Sequence, residues 1–443
     1  MKLFGTDGIR GKANEFPITE GMMIKIGKAT AQVLKGKGRK YAFLIGKDTR
    51  ESCAMVQSAL SEGFLALGAS AVLADVLPTP GLAFLTKTLD VDGGVMISAS
   101  HNPYHDNGIK IFSANGFKLP DSVEQAIESL IESDFQASAS THAGTIYRVE
   151  DGLSRYVGAL KTPFQNLNLQ GLNLVVDCAH GATYKVGPEL LSEMGAHVVA
   201  THNKPDGKNI NFNCGSTDTA HLRQTVKERN ADAGIAFDGD GDRVILCDEK
   251  GRLTDGDQII AICALDMKKK QILKNNGVVT TVMSNIGVER YLNERGVQMI
   301  RAKVGDRYVV EAMLGQGYNL GGEQSGHIIF LDHSSTGDGI MSALQILSIM
   351  KTTGQPLSAL AESIPLYPQT LVNVSVSQKR PLSDFPAIEQ AVKLKEKALE
   401  GGRILIRPSG TEPKIRVMVE GPDAGQVQTT ANELAAMIQS AMQ

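Results

Sequence analysis

Short apolar runs and amphipathic stretches take turns along the chain. Residues 41–46, YAFLIG, form an apolar run of strand type. The next stretch is helical: Met55, Val56, Leu60, Phe64 and Leu67 recur at helix spacing, and Gly68 closes it. ASAVLADV at 69–76 reads as the next strand, GGVMIS at 93–98 as a third and IKIF at 109–112 as a fourth. An amphipathic helix follows at 121–135, with Val123, Ile127, Leu130 and Ile131 apolar.

The same grammar restarts twice. LNLVVD (172–177), a helix near 183–195, HVVATH (197–202), a helix near 218–230 and AGIAF (233–237) make one set. GVVTTVM (277–283), a helix near 286–296, VQMIRA (297–302), a helix near 306–316 and a strand at HIIF (327–330) make another. Repeated strand–helix–strand units predict α/β domains with largely parallel sheets. The end differs: LVNVSVS (371–377), a helix at 386–400, RILI (403–406), KIRVMVE (414–420) and a helix at 423–442 suggest a small α+β domain, with Pro365 and Pro368 at its boundary.

Composition sets bounds on this picture. At roughly 150 residues per domain, a chain of this length holds about three domains and buries a large core without disulfide or metal staples. Lys and Arg total 45 against 48 Asp and Glu, a net charge of −3, which gives no field for nucleic acid or an anionic membrane. No stretch approaches the roughly 18 apolar residues of a membrane span. In MKLFGTDGIRG, Gly, Asp and Arg interrupt the sequence before an apolar run forms, unlike a signal peptide. Cys53, Cys178, Cys214, Cys247 and Cys263 include no C-x-x-C pair and read as reduced, mostly core cysteines of a cytoplasmic protein. The partner expected is a small molecule, and a homodimer stays open.

Four segments carry candidate chemistry. Ser98-Ala99-Ser100-His101-Asn102-Pro103 follows a buried strand. Small residues and the Asn-Pro breaker force a sharp turn that presents an exposed hydroxyl at the carboxyl ends of the strands, where open α/β sheets bind ligands. A plain polar turn reads the same way, and no G-x-S-x-G supports a hydrolase elbow. In Asp238-Gly239-Asp240-Gly241-Asp242-Arg243 the carboxylates at i, i+2 and i+4 share one face of an extended segment. Three carboxylates at close range need a counter-charge, which a hard cation, Mg²⁺ or Ca²⁺, supplies; no other neutraliser is evident. An EF-hand is rejected although Glu249 falls at loop position twelve, because Arg243 stands where that loop needs Gly and Arg243-Val-Ile-Leu reads as a strand.

Gly321-Gly322-Glu323-Gln324-Ser325-Gly326-His327 brackets polar side chains with glycines, which suits close approach to sugar hydroxyls or a flexible turn. Arg407-Pro408-Ser409-Gly410-Thr411-Glu412-Pro413-Lys414-Ile415-Arg416 combines two arginines, two hydroxyls and a glycine, a plausible anion nest or a charged hairpin, without a Walker A motif. Together the four describe a phosphate-handling enzyme, and their spread along the chain implies one cleft between several domains.

SASHNP, DGDGDR, GEQSGH and RPSGTEP, in this order and spacing, resemble the α-D-phosphohexomutase superfamily over residue 4 to about 420. FGTDGIRG and the GGEQSGH form are similar to its bacterial amino-sugar branch. The resemblance implies three similar α/β domains with mixed, largely parallel sheets around a central cleft: a phosphoserine domain at 1–150, a metal-binding domain at 151–254 and a sugar-recognition domain at 255–365. A C-terminal phosphate-binding α+β domain follows at 366–443. It implies an isomerase that interconverts glucosamine 6-phosphate and glucosamine 1-phosphate for UDP-N-acetylglucosamine biosynthesis. The route implied is a phosphoserine enzyme and a sugar 1,6-bisphosphate that serves as intermediate or activator. Ser100 matches the phosphorylated serine, and Asp238, Asp240 and Asp242 match the ligands of one Mg²⁺, with the serine phosphate as a further ligand. Glu323 and Ser325 match the sugar-reading loop; Arg407, Ser409, Gly410, Thr411 and Arg416 match the substrate-phosphate loop. Arg10, His101, Lys110, Arg243 and His327 match positions near the transferring phosphoryl group, with Lys110 and His327 as acid/base candidates.

Mannose or glucose phosphate as substrate keeps the same mechanism. A non-catalytic sugar-phosphate sensor on this scaffold is the reading from another class; binding alone needs neither Ser100 nor the Asp triad.

Overall fold

The computed structural model describes residues 2–5, 7–36, 41–133, 135, 144–377, 380–408 and 413–442. Two compact units divide the chain, Met1–Met283 with Met299–Glu362, and Ser284–Gln298 with Ser363–Gln443.

The first unit opens with β1 (Ile9–Lys12), α1 (Glu20–Leu34), β2 (Ala42–Lys47), α2 (Cys53–Ala66), β3 (Ser70–Val76), α3 (Thr79–Thr88), β4 (Gly93–Ile97), β5 (Asp106–Ser113), α4 (Asp121–Glu132), β6 (Ile146–Arg148) and α5 (Gly152–Lys161). Its six-stranded sheet runs β1-β5-β4-β2-β3-β6. β4, β2, β3 and β6 are parallel; β5 and β1 join antiparallel. Side chains alternate across a strand, so Phe43 and Ile45 pack with α1, α2 and α4 while Ala42 and Leu44 pack with α3 and α5. Burial on both faces explains why 41–46 reads as an unbroken apolar run.

The second sheet collects β7 (Asn173–Asp177), β8 (His197–Thr201), β9 (Ala233–Phe237), β10 (Val244–Asp248) and β11 (Leu253–Thr254), with α6 (Val186–Glu193) and α7 (Ala220–Arg229) between strands. In the order β11-β10-β9-β7-β8, β9, β7 and β8 are parallel and β10 turns back antiparallel on β9. Residues 238–243 are therefore the turn of a hairpin.

A third set comprises α8 (Gly256–Lys269), β12 (Gly277–Thr281), α9 (Ile286–Glu294), β13 (Gln298–Ala302), α10 (Asp306–Gln316), β14 (Leu320–Gly322), β15 (Ile328–Phe330), α11 (Gly339–Thr353) and α12 (Leu357–Glu362). The order is β13-β12-β14-β15, and the β14–β15 hairpin carries 323–327 at its tip. Apolar periodicity does not reveal α8 or α11, because both are buried nearly all round and lack a polar face.

The second unit contains α9 and a wholly antiparallel sheet, β16-β18-β17, of β16 (Gln369–Ser375), β17 (Arg403–Pro408) and β18 (Lys414–Glu420), with α13 (Pro386–Ala398) and α14 (Ala424–Ala441). Ile415, Val417 and Val419 alternate into its core with Leu434 and Ile438 of α14. Four sheets thus form three α/β domains with mixed pairing and one α+β domain. All five cysteines are buried and unpaired. Among the described residues, no helix is long and apolar enough to cross a membrane.

Candidate active site

The serine segment leaves β4 and is gripped from below. Ser98 Oγ donates to Asp48 Oδ2 at 2.6 Å and accepts from the Ser100 N–H at 2.9 Å. Arg50, paired with Asp48 at 2.9 Å, donates to the carbonyls of Ser100 at 3.0 Å and Asn102 at 2.9 Å. Asn211 Nδ2 donates to the same two carbonyls at 2.8 and 3.0 Å. This corrects the expectation of an exposed hydroxyl: Ser100 is fully buried, in a left-handed conformation with φ 53°. Its Oγ donates to Asp238 Oδ2 at 2.6 Å and lies 3.3 Å from His101 Nδ1.

Asp238, Asp240 and Asp242 converge in the β9–β10 turn, buried, with one oxygen of each inside a 4.8 Å span. A Cβ on Gly239 would stand 2.5 Å from the Ser100 carbonyl, and Gly241 has φ 70°, so glycines bring the two turns into contact. The sequence suggested no neutraliser besides a cation; the structure supplies Lys110, whose Nζ lies 2.7 Å from both Asp240 Oδ2 and Asp242 Oδ2. Burial opposes its charge, but Asp240, Asp242 and Asp7 hold it well above the usual lysine range. Asp238 is pushed well up by burial and by Asp242 and Asp240. Asp242 is held well down despite burial, by Lys110 and His327.

These carboxylates are not fully compensated. Among the described residues Asp240 Oδ1, which is buried, accepts no hydrogen bond, and Asp242 Oδ1 has His327 Nδ1 at 3.5 Å and Arg243 Nε at 3.9 Å. Buried acceptors of this kind fit a hard cation with oxygen ligands.

The remaining first-unit candidates gather here. Arg243 Nη1 is 3.2 Å from His101 Nδ1. Burial, then Arg243 and Arg10, push His101 down to about 4, so its imidazole is neutral at pH 7. Arg10 pairs with Asp7 and donates to the Ala99 carbonyl at 3.3 Å. His327 Nε2 accepts from the Gly337 N–H at 2.9 Å. At the hairpin tip, Ser325 Oγ donates to Glu323 Oε2 at 3.3 Å and Glu323 Oε1 accepts from the Gly305 N–H at 3.2 Å.

Sequence reasoning missed several members. Thr79 Oγ1 donates to Asp240 Oδ2 at 2.7 Å. Lys118 pairs with Asp7 and, at 2.5 Å, with Asp306, which lies 3.4 Å from His327 Nε2. Asp7 sits inside FGTDGIRG and could have been suspected; Lys118 and Asp306 sit in no pattern of their own.

Arg407 and Arg416 belong to the second unit, directly opposite each other on β17 and β18. Burial and Arg416 lower the Arg407 guanidinium from its usual range. Ser409, Gly410 and Thr411 lie outside the described residues.

Comparison with known proteins matches four family segments in order along the chain. The phosphoglucomutase/phosphomannomutase family matches as alpha/beta/alpha domain I over residues 1–138, domain II over 154–251, domain III over 255–367 and the C-terminal domain over 371–437. Phosphoglucosamine mutase of Magnetococcus marinus is 50% identical over 444 residues, covering 99% of this chain and 92% of the relative. That of Anaeromyxobacter sp. is 49% identical, covering 100% and 96%. Among solved structures, a phosphoglucomutase/phosphomannomutase family protein of Burkholderia thailandensis superposes with TM-score 0.81 at 21% identity, covering 99% and 97%. N-acetylphosphoglucosamine mutase of Aspergillus fumigatus, solved with GlcNAc-6P and magnesium, superposes with TM-score 0.66 at 17% identity, covering 100% and 96%. With all four domains matched and half the residues shared along the full length, this chain belongs to the phosphoglucosamine mutases of the phosphoglucomutase/phosphomannomutase family, isomerases that interconvert glucosamine 6-phosphate and glucosamine 1-phosphate.

Proposed function

We propose that Ser100 carries a phosphoryl group in the active enzyme and exchanges it with the free hydroxyl of a hexosamine phosphate. The observation that carries this reading is the 2.6 Å bond from Ser100 Oγ to Asp238 Oδ2, which sets a hydroxyl against three buried carboxylates. Asp238, Asp240 and Asp242 would hold one Mg²⁺, with the Ser100 phosphate as a further ligand. Bound there, Mg²⁺ supplies positive charge to the oxygens of the transferring group.

In the first half-reaction the bond from phosphorus to Ser100 Oγ breaks as a bond from phosphorus to the sugar hydroxyl forms. Of Lys110 and His327, whichever is unprotonated takes the hydroxyl proton, and the other, protonated, gives one to Ser100 Oγ. The product is a sugar 1,6-bisphosphate. After turning over, it returns its other phosphoryl group to Ser100 by the same steps in reverse, so no phosphate is consumed. Arg10 and Arg243 supply fixed positive charge and neutral His101 supplies polar contact around the transferring oxygens. Glu323 and Ser325 read the sugar, and Arg407, Ser409, Gly410, Thr411 and Arg416 hold the phosphate that is not transferring. A glucosamine phosphate is the substrate preferred over glucose or mannose phosphate, in keeping with the GlcNAc-6P bound by the Aspergillus fumigatus relative. A cytoplasmic location completes the reading, together with a homodimer that sedimentation velocity tests.

Ser100→Ala tests the mechanism: it should lose most activity, and intact mass should show a phosphatase-sensitive phosphate on the wild-type chain but not on the variant. Near wild-type turnover by the variant overturns the phosphoserine. Equal or faster turnover of glucose 1-phosphate by the wild type overturns the amino-sugar preference.

A further inference from the structure

A second group of metal-type side chains lies at the carboxyl edge of the second sheet. Parallel neighbours β7 and β8 end at Asp177 and Thr201, so the turns that follow them lie side by side. His180 stands in the first turn, His202 in the second, and Cys214 ends the loop that follows. One nitrogen of each imidazole and the Cys214 sulfur lie within 4.8 Å of one another. The rings of His180 and His202 meet edge to face with centroids 5.2 Å apart, and His221 packs on His202 at 4.7 Å.

Two further observations point to a ligand. His202 Nδ1 lies 2.9 Å from Asp177 Oδ2; against a carboxylate that nitrogen carries the proton, which leaves Nε2 its lone pair. A carboxylate behind an imidazole is the usual device for orienting a metal-ligating histidine. The backbone is also strained: Ala179, His180 and His202 have φ 51°, 50° and 44°, a region their side chains rarely adopt and one that clusters at functional sites. The turns are locked by the His180 N–H donating to the His202 carbonyl at 2.6 Å and the Asn211 N–H donating to the Ala179 carbonyl at 2.9 Å.

We propose that His180, His202 and Cys214 bind a zinc ion, with solvent completing a tetrahedral shell. Imidazole and thiolate select zinc over magnesium or calcium. Both histidines are half-buried, which leaves an entry path, while Cys214 is buried behind them. On binding, the Cys214 thiol releases its proton to solvent, and His180 gives up the 3.2 Å bond that its Nδ1 accepts from the Lys204 N–H. The ion acts as a staple. Thr49 Oγ1 donates to the His180 carbonyl at 2.6 Å, and Asn211, locked to the same turn, holds the Ser100 carbonyl. Zinc here fixes the loops that position Ser100 without touching substrate.

The test is a titration of metal-free full-length enzyme with Co²⁺ in saturating Mg²⁺, read by the thiolate-to-cobalt charge-transfer absorption, which the Asp triad cannot produce. The band should saturate at one equivalent and be bleached by Zn²⁺. Cys214→Ser should abolish it, and Asp177→Asn should weaken binding on the order of 10- to 100-fold. Absence of the band in the wild type, or its survival in a Cys214→Ser chain that folds by circular dichroism, overturns the proposal; the wild-type titration decides even where a variant fails to fold.

Discussion

Ser100 and Asp238 are 138 residues apart in the chain, yet Ser100 Oγ donates to Asp238 Oδ2 at 2.6 Å. The serine turn belongs to the first sheet and the aspartate turn to the second, so this bond forms only when the two sheets meet. Asp238 already carries an ionisation penalty from burial and from Asp242 and Asp240. Removing its donor leaves a buried acceptor unmet. Ser100→Ala should therefore lower stability by about 1–3 kcal/mol as well as remove most activity. Urea denaturation of both chains checks this; an unchanged midpoint would mean that Asp238 is satisfied without Ser100.

Arg50 holds the serine turn from the other side. It is buried, paired with Asp48, and donates to the carbonyls of Ser100, Asn102, Pro103 and Asp106. Arg50→Ala strands the Asp48 carboxylate in the core and should lose about 3–5 kcal/mol. Arg50→Lys keeps the charge but lacks the planar fork, so it should fold, with a lowered melting point, and show reduced Ser100 phosphorylation by intact mass. Wild-type phosphorylation in Arg50→Lys would show that the fork does not position Ser100.

What the sequence displayed was whatever is local. The run at 41–46 is visible because both of its faces are buried, and the Asp triad because its three members lie within five residues. Lys110, Thr79, Asp48 and Arg50 reach the site through strand order and sheet docking, which no short window records. Family resemblance named Lys110, yet its role as the triad's neutralising neighbour emerges only from β5 lying against the β9–β10 turn. The burial of Ser100 was invisible for the same reason: an Asn-Pro turn looks exposed until the second sheet covers it.

Lys110 compensates Asp240 and Asp242 but makes no bond to Asp238, and among the described residues Asp240 Oδ1 is left without a donor. A cation that binds this cluster in the folded chain must stabilise it. Mg²⁺ at 100 times its dissociation constant should add about 2.7 kcal/mol, seen as a higher melting temperature of chelator-treated enzyme. Asp240→Asn should erase both the shift and the activity. A rate unchanged by exhaustive chelation would remove the metal role from Asp238, Asp240 and Asp242.

Asp338 sets a pH dependence of its own. It caps α11 through the Met341 N–H at 2.9 Å and accepts from Tyr156 Oη at 2.9 Å. Burial pushes its carboxyl up to about 6, against an ordinary value of about 4. A carboxyl raised on folding favours the protonated folded state. Its contribution is fully present below pH 4 and lost as pH rises through 6, about 3 kcal/mol in all. Asp338→Asn cannot ionise; its Oδ1 still accepts from the Met341 N–H, and its amide donates to Tyr156 Oη where the carboxylate accepted. The stability of wild type relative to Asp338→Asn should therefore fall between pH 4 and pH 6 and stay flat above pH 7. Denaturation midpoints of the two chains across that range measure it, and parallel curves would place the titration elsewhere.

Arg407 and Arg416 face each other on adjacent strands, and like charges in that position destabilise a sheet. Arg407 Nε is buried and has no hydrogen-bond partner among the described residues. An arginine whose buried donor is left open in this way is suited to an anion that arrives from solution. A mutase presents its substrate in two orientations, and in each the phosphate not being transferred must be held by groups that recognise phosphate and not the sugar face. Arg407→Ala should therefore weaken both the 1-phosphate and the 6-phosphate substrate. A charge-assisted hydrogen bond is worth roughly 1.5–3 kcal/mol, so kcat/KM should fall on the order of ten- to a hundredfold in each direction. Stability should not fall with it, because the substitution relieves the repulsion with Arg416. Ser100 phosphorylation and Mg²⁺ binding should persist, since their residues belong to the other compact unit. Steady-state kinetics in both directions, with a melting curve, decide the matter. Unchanged KM for both substrates, or a loss in one direction beyond what the overall equilibrium constant allows, would take the phosphate-holding role away from Arg407.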